Sequence, residues 1–181
     1  MIIASAGGER LQLRRLRAED VGPAYVGWMN DAETVRYTES RHQRQTLDSV
    51  REFVAACQAR SDVHLWGIFE RAGGAHVGNI KLGPIDGVHL RASIGLIIGE
   101  RSRWGRGYAT EAIGIVVRLA FGELGLHKLT AGVIAGNEAS LRAFRNNGFL
   151  VEGVRRKHTL VDGGWCDETL LGLVAEDPAD A

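Results

Sequence analysis

The chain of 181 residues has few of the features that tie a protein to disulfides, metals or membranes. Its two cysteines, Cys57 and Cys166, stand far apart and neither has a partner at metal-ligand spacing. That excludes a disulfide framework and suits a reducing compartment. The six histidines form no HxxH or Cys/His cluster, so no metal is expected. No apolar run approaches bilayer-spanning length, and Met1 to Gly8 contains no basic segment ahead of a long apolar core. A membrane is therefore not an expected partner, and the cytoplasm is the expected location. An excess of charge is missing too: 22 Lys+Arg face 22 Asp+Glu. Balanced charge produces no global field that would gather nucleic acid. The densest basic run, Arg155-Arg156-Lys157-His158, reads as a solvated strand or loop. Repeats, linkers and low-complexity segments are also lacking. The length fits one domain over 1–181, with a core at about 11–173 and a frayed acidic tail over 176–181.

What is present is organised around Ser93 to Thr110, SIGLIIGERSRWGRGYAT. Ile94-Gly95-Leu96-Ile97-Ile98 is short and largely β-branched, which suits a buried strand. Gly105, Gly107 and Ala109 keep side chains out of the way, so backbone N–H groups can converge on one point. From Thr110 the spacing of Ile113, Val116, Val117, Ala120, Phe121 and Leu124 is that of one helix face. Small residues opening a helix bind anions, because unpaired N–H groups and the helix dipole point the same way. A phosphate is expected there.

The remaining chain supplies an α/β frame. Leu11, Leu13 and Leu16 mark a first strand, and Asp20 caps a helix carrying Val21, Ala24, Tyr25, Trp28 and Met29 on its apolar face. Tyr25, Trp28 and Tyr37 can line a substrate pocket or fill the core. Thr46 caps a second helix with Val50, Phe53, Val54 and Cys57 inward. Val63 to Phe69 and His76 to Leu82 flank Ala72-Gly73-Gly74 as a hairpin. Lys128 to Ile134 is a strand, Asn137 caps a helix with Ser140, Leu141 and Phe144 inward, and Gly148 closes it. Phe149 to Leu160 and Trp165 to Leu173 form a final hairpin, able to pair with a second copy in a homodimer. The order is β αα βββ α β α ββ, a mixed and mostly antiparallel sheet flanked by helices.

Gly105-x-Gly107 fits several phosphate sites. A Walker loop needs Gly-Lys-Ser/Thr, which is absent. A dinucleotide fingerprint wants glycine or alanine where Thr110 stands, and an acidic residue where the next strand ends in Ala135-Gly136-Asn137. The longer stretch Trp104-Gly105-Arg106-Gly107-Tyr108-Ala109-Thr110-Glu111-Ala112 resembles the acetyl-CoA pyrophosphate loop of the GNAT N-acetyltransferases, in the RimJ/RimL-like branch. Asn137-x-x-Ser140 with Asn147-Gly148-Phe149 resembles that family's next motif. Glu152-Gly153-x-x-Arg156-x-His158 and Asp162-Gly163 before Leu171-Gly172-Leu173 resemble its closing hairpin.

The resemblance implies a single GNAT-type domain with a splayed strand pair, and acetyl-CoA as cosubstrate with no metal. It implies that the N–H groups around Gly105, Arg106, Gly107, Tyr108, Ala109 and Thr110 hold the pyrophosphate. The backbone of Ile97, Ile98 and Gly99 would pair with pantetheine, with a nearby N–H polarising the thioester carbonyl. Asn137, Ser140 and Phe144 would meet pantetheine, and Arg103 and Arg145 the nucleotide phosphates. The acceptor would be a small-molecule or N-terminal amine: similar sequences act on protein N-termini, amino sugars (nucleotide-linked ones included), polyamines or antibiotics, and the balanced charge favours a small molecule, such as an amino sugar, over a ribosomal target. Two departures affect catalysis. Ser93 stands where a glutamate often serves as base, and Phe144 where a tyrosine often serves as acid. Ser140 then becomes the candidate acid. The base is left among a water relay at Ser93, His89, Asp86 and bulk solvent. Loss of catalysis, leaving an acyl-CoA-binding regulatory module, is the alternative from another class.

Overall fold

Leu11, Leu13 and Leu16 are all fully buried, yet they face opposite ways. Successive strand residues alternate between the faces of a sheet. Leu11 and Leu13 accordingly enter one apolar cluster with Trp66, Ile68, Ile80, Ile94 and Ile113, while Leu16 enters another with Tyr25, Trp28, Val50 and Val54. The computed structural model that shows this describes residues 4–175. The acidic tail expected to fray lies outside the described residues.

Eight strands form one sheet in the order β1-β2-β3-β4-β5-β6-β8-β7. They are β1 (Ser5–Gly7), β2 (Leu11–Arg15), β3 (His64–Glu70), β4 (His76–Leu82), β5 (Arg91–Ile98), β6 (Lys128–Ile134), β7 (Leu150–Val161) and β8 (Gly164–Val174). All neighbours are antiparallel except β5 and β6. The helices are α1 (Pro23–Asn30), α2 (Ala32–Val35), α3 (Leu47–Ala59), α4 (Tyr108–Arg118) and α5 (Glu138–Arg145), and a π turn over Leu119–Glu123 prolongs α4. The mixed, mostly antiparallel sheet matches the expectation. Among the described residues no helix is long and apolar enough to cross a membrane.

Three local readings are corrected. Asp20 does not cap α1: its carboxylate accepts the Arg17 N–H and closes a 3₁₀ turn over Ala18–Asp20. The helix starts at Pro23 because the residue before a proline is driven out of the helical region, and Gly22 is extended. Phe53 is 47% exposed and not on the core face of α3, where Val50, Val54 and Cys57 form a narrower stripe. Finally, β1 is an additional edge strand over Ala-Gly-rich sequence that carries no alternation of its own.

The feature that shapes the site is a break in pairing. β5 and β6 run parallel only at Arg91–Lys128, Ala92–Leu129 and Ser93–Thr130. Beyond that point β5 stays with β4 as far as Ile98 opposite Gly78, and β6 stays with β8 as far as Ile134 opposite Glu168. The two strands part between them, so the backbone groups each would have offered the other face a gap.

Candidate active site

The gap leads directly to the glycine loop. Gly99 and Glu100 both donate their N–H to the Val77 carbonyl, ending β5 in a turn. A 3₁₀ turn over Arg101–Arg103 follows, and the Trp104 indole N–H donates to the Ile98 carbonyl at 2.7 Å. Gly105 and Gly107 then take φ of +70° and +79°, values that side-chain-bearing residues rarely adopt. Gly107 is the N-cap of α4 and supplies no side-chain acceptor, so the first-turn N–H groups remain available. The first helical bond runs from Glu111 N–H to the Gly107 carbonyl.

The loop is braced from two strands. Glu70 on β3 holds Arg103 through two bonds of 2.8 and 3.0 Å and accepts the Tyr108 hydroxyl at 2.6 Å. Those bonds, first from Arg103 and then from Tyr108, hold the Glu70 carboxyl below its ordinary pKa. Glu111 accepts the N–H of Arg10 at 2.7 Å, that of Leu11 at 2.9 Å and the Arg10 guanidinium at 2.8 Å. Arg10 also donates to the Arg106 carbonyl at 2.8 Å. From the far side, Asn147 donates to the Thr110 and Ala143 carbonyls, tying the start of α4 to the end of α5. Sequence reasoning missed Glu70, Arg10 and the carboxylate role of Glu111. An acidic residue in a first helical turn was the available signal, but its partner lies 100 residues away.

The candidate residues divide on inspection. Arg103 pairs with Glu70, a partner that the sequence did not indicate. The guanidinium groups of Arg106 and Arg145 lie on the exposed surface of the loop and of α5. Phe144 is 2% exposed and packs edge-on against Phe149, so it is core and has no face left for a ligand. Asn137 caps α5 by accepting the Ser140 N–H, leaving its amide N–H₂ without a partner among the described residues. The Ser140 hydroxyl likewise makes no hydrogen bond among the described residues, so it is not spent on the backbone one turn back. Ser93 is exposed at the last paired position before the gap. Asp86 accepts the N–H groups of His89 and Val88 and the Arg91 guanidinium. Its carboxyl is lowered chiefly by the His89 N–H, so it is an anchor for the turn and a poor base.

Of the aromatic candidates, Tyr25 is 3% exposed and Trp28 is 8% exposed. Both pack on His76, which also stacks on Phe69 at 4.6 Å. Tyr25 is therefore core, and burial raises its phenol above the ordinary pKa. Trp28 has a second contact of interest. A methyl group on Gly99 would overlap the Trp28 ring, so glycine is what lets α1 lie over the end of β5. Tyr37 is half-buried, with its hydroxyl 3.0 Å from where a Gly136 methyl would stand, over the end of β6. The α1–α2 segment thus crosses the mouth of the gap at both of its strands. Replacing Gly99 by alanine is expected to cost about 2 kcal/mol by overpacking, read from urea unfolding. An unchanged midpoint would mean that Trp28 yields without cost.

Comparison with known proteins decides the family. The model of the acetyltransferase (GNAT) domain matches residues 10–150. The chain belongs to the GNAT acetyltransferase family. It is 32% identical over 170 residues to the uncharacterized N-acetyltransferase YoaA of Bacillus subtilis, covering 92% of this chain and 94% of that one. It is 27% identical over 161 residues to the ribosomal protein uS5-alanine N-acetyltransferase of Escherichia coli, covering 78% and 80%. In fold, this GNAT chain superposes on the Vibrio cholerae spermidine N-acetyltransferase in complex with CoA and spermine. That match has a TM-score of 0.82 at 20% identity, over 92% of this chain and 96% of the other. This GNAT domain is an N-acetyltransferase whose relatives differ in acceptor.

Proposed function

We propose that the chain moves an acetyl group from acetyl-CoA to a primary amine on a small molecule, by direct attack with both substrates bound. One observation carries this reading. The parting of β5 from β6 runs straight into an uncapped helix N-terminus. The first leaves backbone around Ile97 and Ile98 for strand-like hydrogen bonds to pantetheine, while the Gly99 N–H is held by the Val77 carbonyl. The second offers converging N–H groups from Arg106 to Thr110 to the pyrophosphate. Arg106 and Arg145 supply charge to the nucleotide end, and the free Asn137 amide bonds pantetheine.

Acetyl-CoA brings an activated acyl group. The amine nitrogen forms the C–N bond, the C–S bond breaks, and a strand N–H near Ile97 bonds the carbonyl oxygen as charge grows on it. Ser140 passes its hydroxyl proton to the departing sulfur and is reprotonated from solvent, so that the proton the amine loses to water balances the one the thiol gains. The ammonium proton leaves to a water ordered by Ser93, since a serine hydroxyl has no useful basicity of its own. The RimJ/RimL-like branch is supported by the uS5-alanine acetyltransferase relative, and a small acceptor in the cytoplasm by the balanced charge and unpaired cysteines. Exposed Leu150, Val154 and Trp165 on the closing hairpin support pairing with a second copy, which light scattering tests.

An acceptor screen read by free-thiol release tests the activity. On a true acceptor, Ser140→Ala is expected to lower kcat at least tenfold, about 1.4 kcal/mol of barrier, with acetyl-CoA affinity nearly constant. Ser93→Ala should cost much less. Negligible effects from both changes would remove the two serines from the mechanism.

A further inference from the structure

One carboxylate reaches across β6 toward the gap. Along β6, Leu129, Ala131 and Val133 are buried in the core cluster that also holds Ile113 of α4 and Phe144 of α5. Side chains alternate along a strand, so Thr130, Gly132 and Ile134 present the opposite face. Ser93 on β5 shares that face, because it stands opposite Thr130 in the last parallel pair. Gly132 is exposed two residues further along β6, about 7 Å on, where β5 has already left. Glu168 stands on β8 opposite Ile134, again on that face. A methyl group on Gly132 would overlap Glu168 Oε1, so the carboxylate lies across the bare backbone of the strand that borders the gap. Gly132 is not among the glycines with positive φ. Space, and not backbone conformation, is therefore what calls for glycine there.

Only one carboxylate oxygen is occupied. Oε2 accepts the Arg155 guanidinium from β7 at 3.0 Å and has the His158 ring at 3.7 Å. Oε1 has no hydrogen bond or ion pair among the described residues, and the side chain is 18% exposed. Arg155 thus fixes the carboxylate and leaves its second oxygen over Gly132. The other ion pair on this face, Lys128 with Glu152, sits over Gly172 opposite Thr130, where β6 is still paired with β5. From the α1–α2 side, the Tyr37 hydroxyl stands over Gly136, beyond the end of β6.

Resting on the acetyl-transfer reading, we propose that Glu168 is the general base of the reaction, acting through the water ordered by Ser93. The two side chains face that water from the two strands that the gap separates, and one water is within the reach of base catalysis. As the amine nitrogen bonds the acyl carbon it becomes cationic and gives one proton to the water. The water gives one of its own to Glu168 Oε1, which later releases it to solvent. The sulfur takes its proton from Ser140, itself reprotonated from solvent, so no net proton is made or consumed. A carboxylate is a far stronger base than water, and it draws the proton at a pH where hydroxide is scarce.

Two variants of the full chain test this, on an acceptor found by thiol release. Glu168→Gln keeps the shape and an oxygen for Arg155 but cannot take a proton. Its kcat is expected to fall at least tenfold at about pH 7, with acetyl-CoA affinity and melting temperature unchanged. Hydroxide replaces the missing base as pH rises. The ratio of parent to variant rates, in which ionisation of the acceptor cancels, should therefore shrink toward one by roughly tenfold per pH unit. Gly132→Ala leaves Glu168 in the chain but puts a methyl group where Oε1 lies, and should lower kcat with the same pH dependence. If Glu168→Gln does not fold, the ratio measured for Gly132→Ala decides. A Glu168→Gln rate equal to the parent's overturns the base and leaves acetyl transfer standing. A loss of the same size at every pH also overturns it, since a carboxylate that only braces Arg155 is missed equally throughout. Absence of thiol release from every amine, with acetyl-CoA bound, sinks the acetyl-transfer reading and the base with it.

Discussion

Gly107→Glu should lower CoA affinity at least a hundredfold, about 2.7 kcal/mol, in a protein that still unfolds cooperatively. Position 107 has a φ of +79°, so any side chain there pays a backbone strain of roughly 1–2 kcal/mol. A methyl group at that position would meet only the Arg10 guanidinium at 3.4 Å, an ordinary contact. Gly107→Ala therefore carries the same strain without the bulk or the charge, and serves as the control. The glutamate places a carboxylate among the N–H groups that are to hold pyrophosphate, and it competes with the ligand for them. Calorimetry with CoA measures the difference between the two variants. Equal affinities for Gly107→Glu and the parent would place the anion site elsewhere on the chain.

The second large effect is on stability. Glu111→Ala is expected to destabilise the fold by about 3 kcal/mol, since it strands the Arg10 and Leu11 N–H groups, and Leu11 is fully buried. For a chain of this length that is a fall in melting temperature of roughly 6–12 °C. The pH dependence follows from the same bonds. Burial works against ionisation of Glu111, but the two N–H groups and the Arg10 guanidinium outweigh it and lower the carboxyl below its ordinary 4.5. A carboxyl lowered in the folded state adds stability above its unfolded pKa, and that stability is lost as pH falls through the folded value. The gap in melting temperature between the parent and Glu111→Ala should therefore be full near neutral pH and close on acidification below about pH 4.5. A gap that persists unchanged into strong acid would show that packing, and not the charged acceptor, is what Glu111 contributes.

Legibility of the fold varied with how local its causes were. Helix α4 could be read because Ile113 and Val116 repeat with the helix period, and β3 to β6 because their apolar runs are bounded by turn residues. The start of α1 was misplaced because two rules pointed to nearby residues. Asp20 is a good cap by type, but Pro23 forces its predecessor to stay extended. Phe53 was misread because periodicity gives the direction of a helix face and not its width, which depends on what packs against it.

By itself, then, the sequence determined the order of elements from β2 onward, the short α2 apart, and the glycine loop opening α4. Those follow from residue type at close spacing along the chain. The tertiary structure alone decided where β5 leaves β6, because pairing at Ser93–Thr130 depends on how the rest of each strand binds its other neighbour. It alone paired Arg103 with Glu70, and it alone gathered Arg36, Arg41 and Arg44 opposite the β7–β8 tip. Charges have no periodicity to reveal their partners. Which carboxylate an arginine meets, and whether it meets one at all, is settled only when residues distant in the chain are brought together.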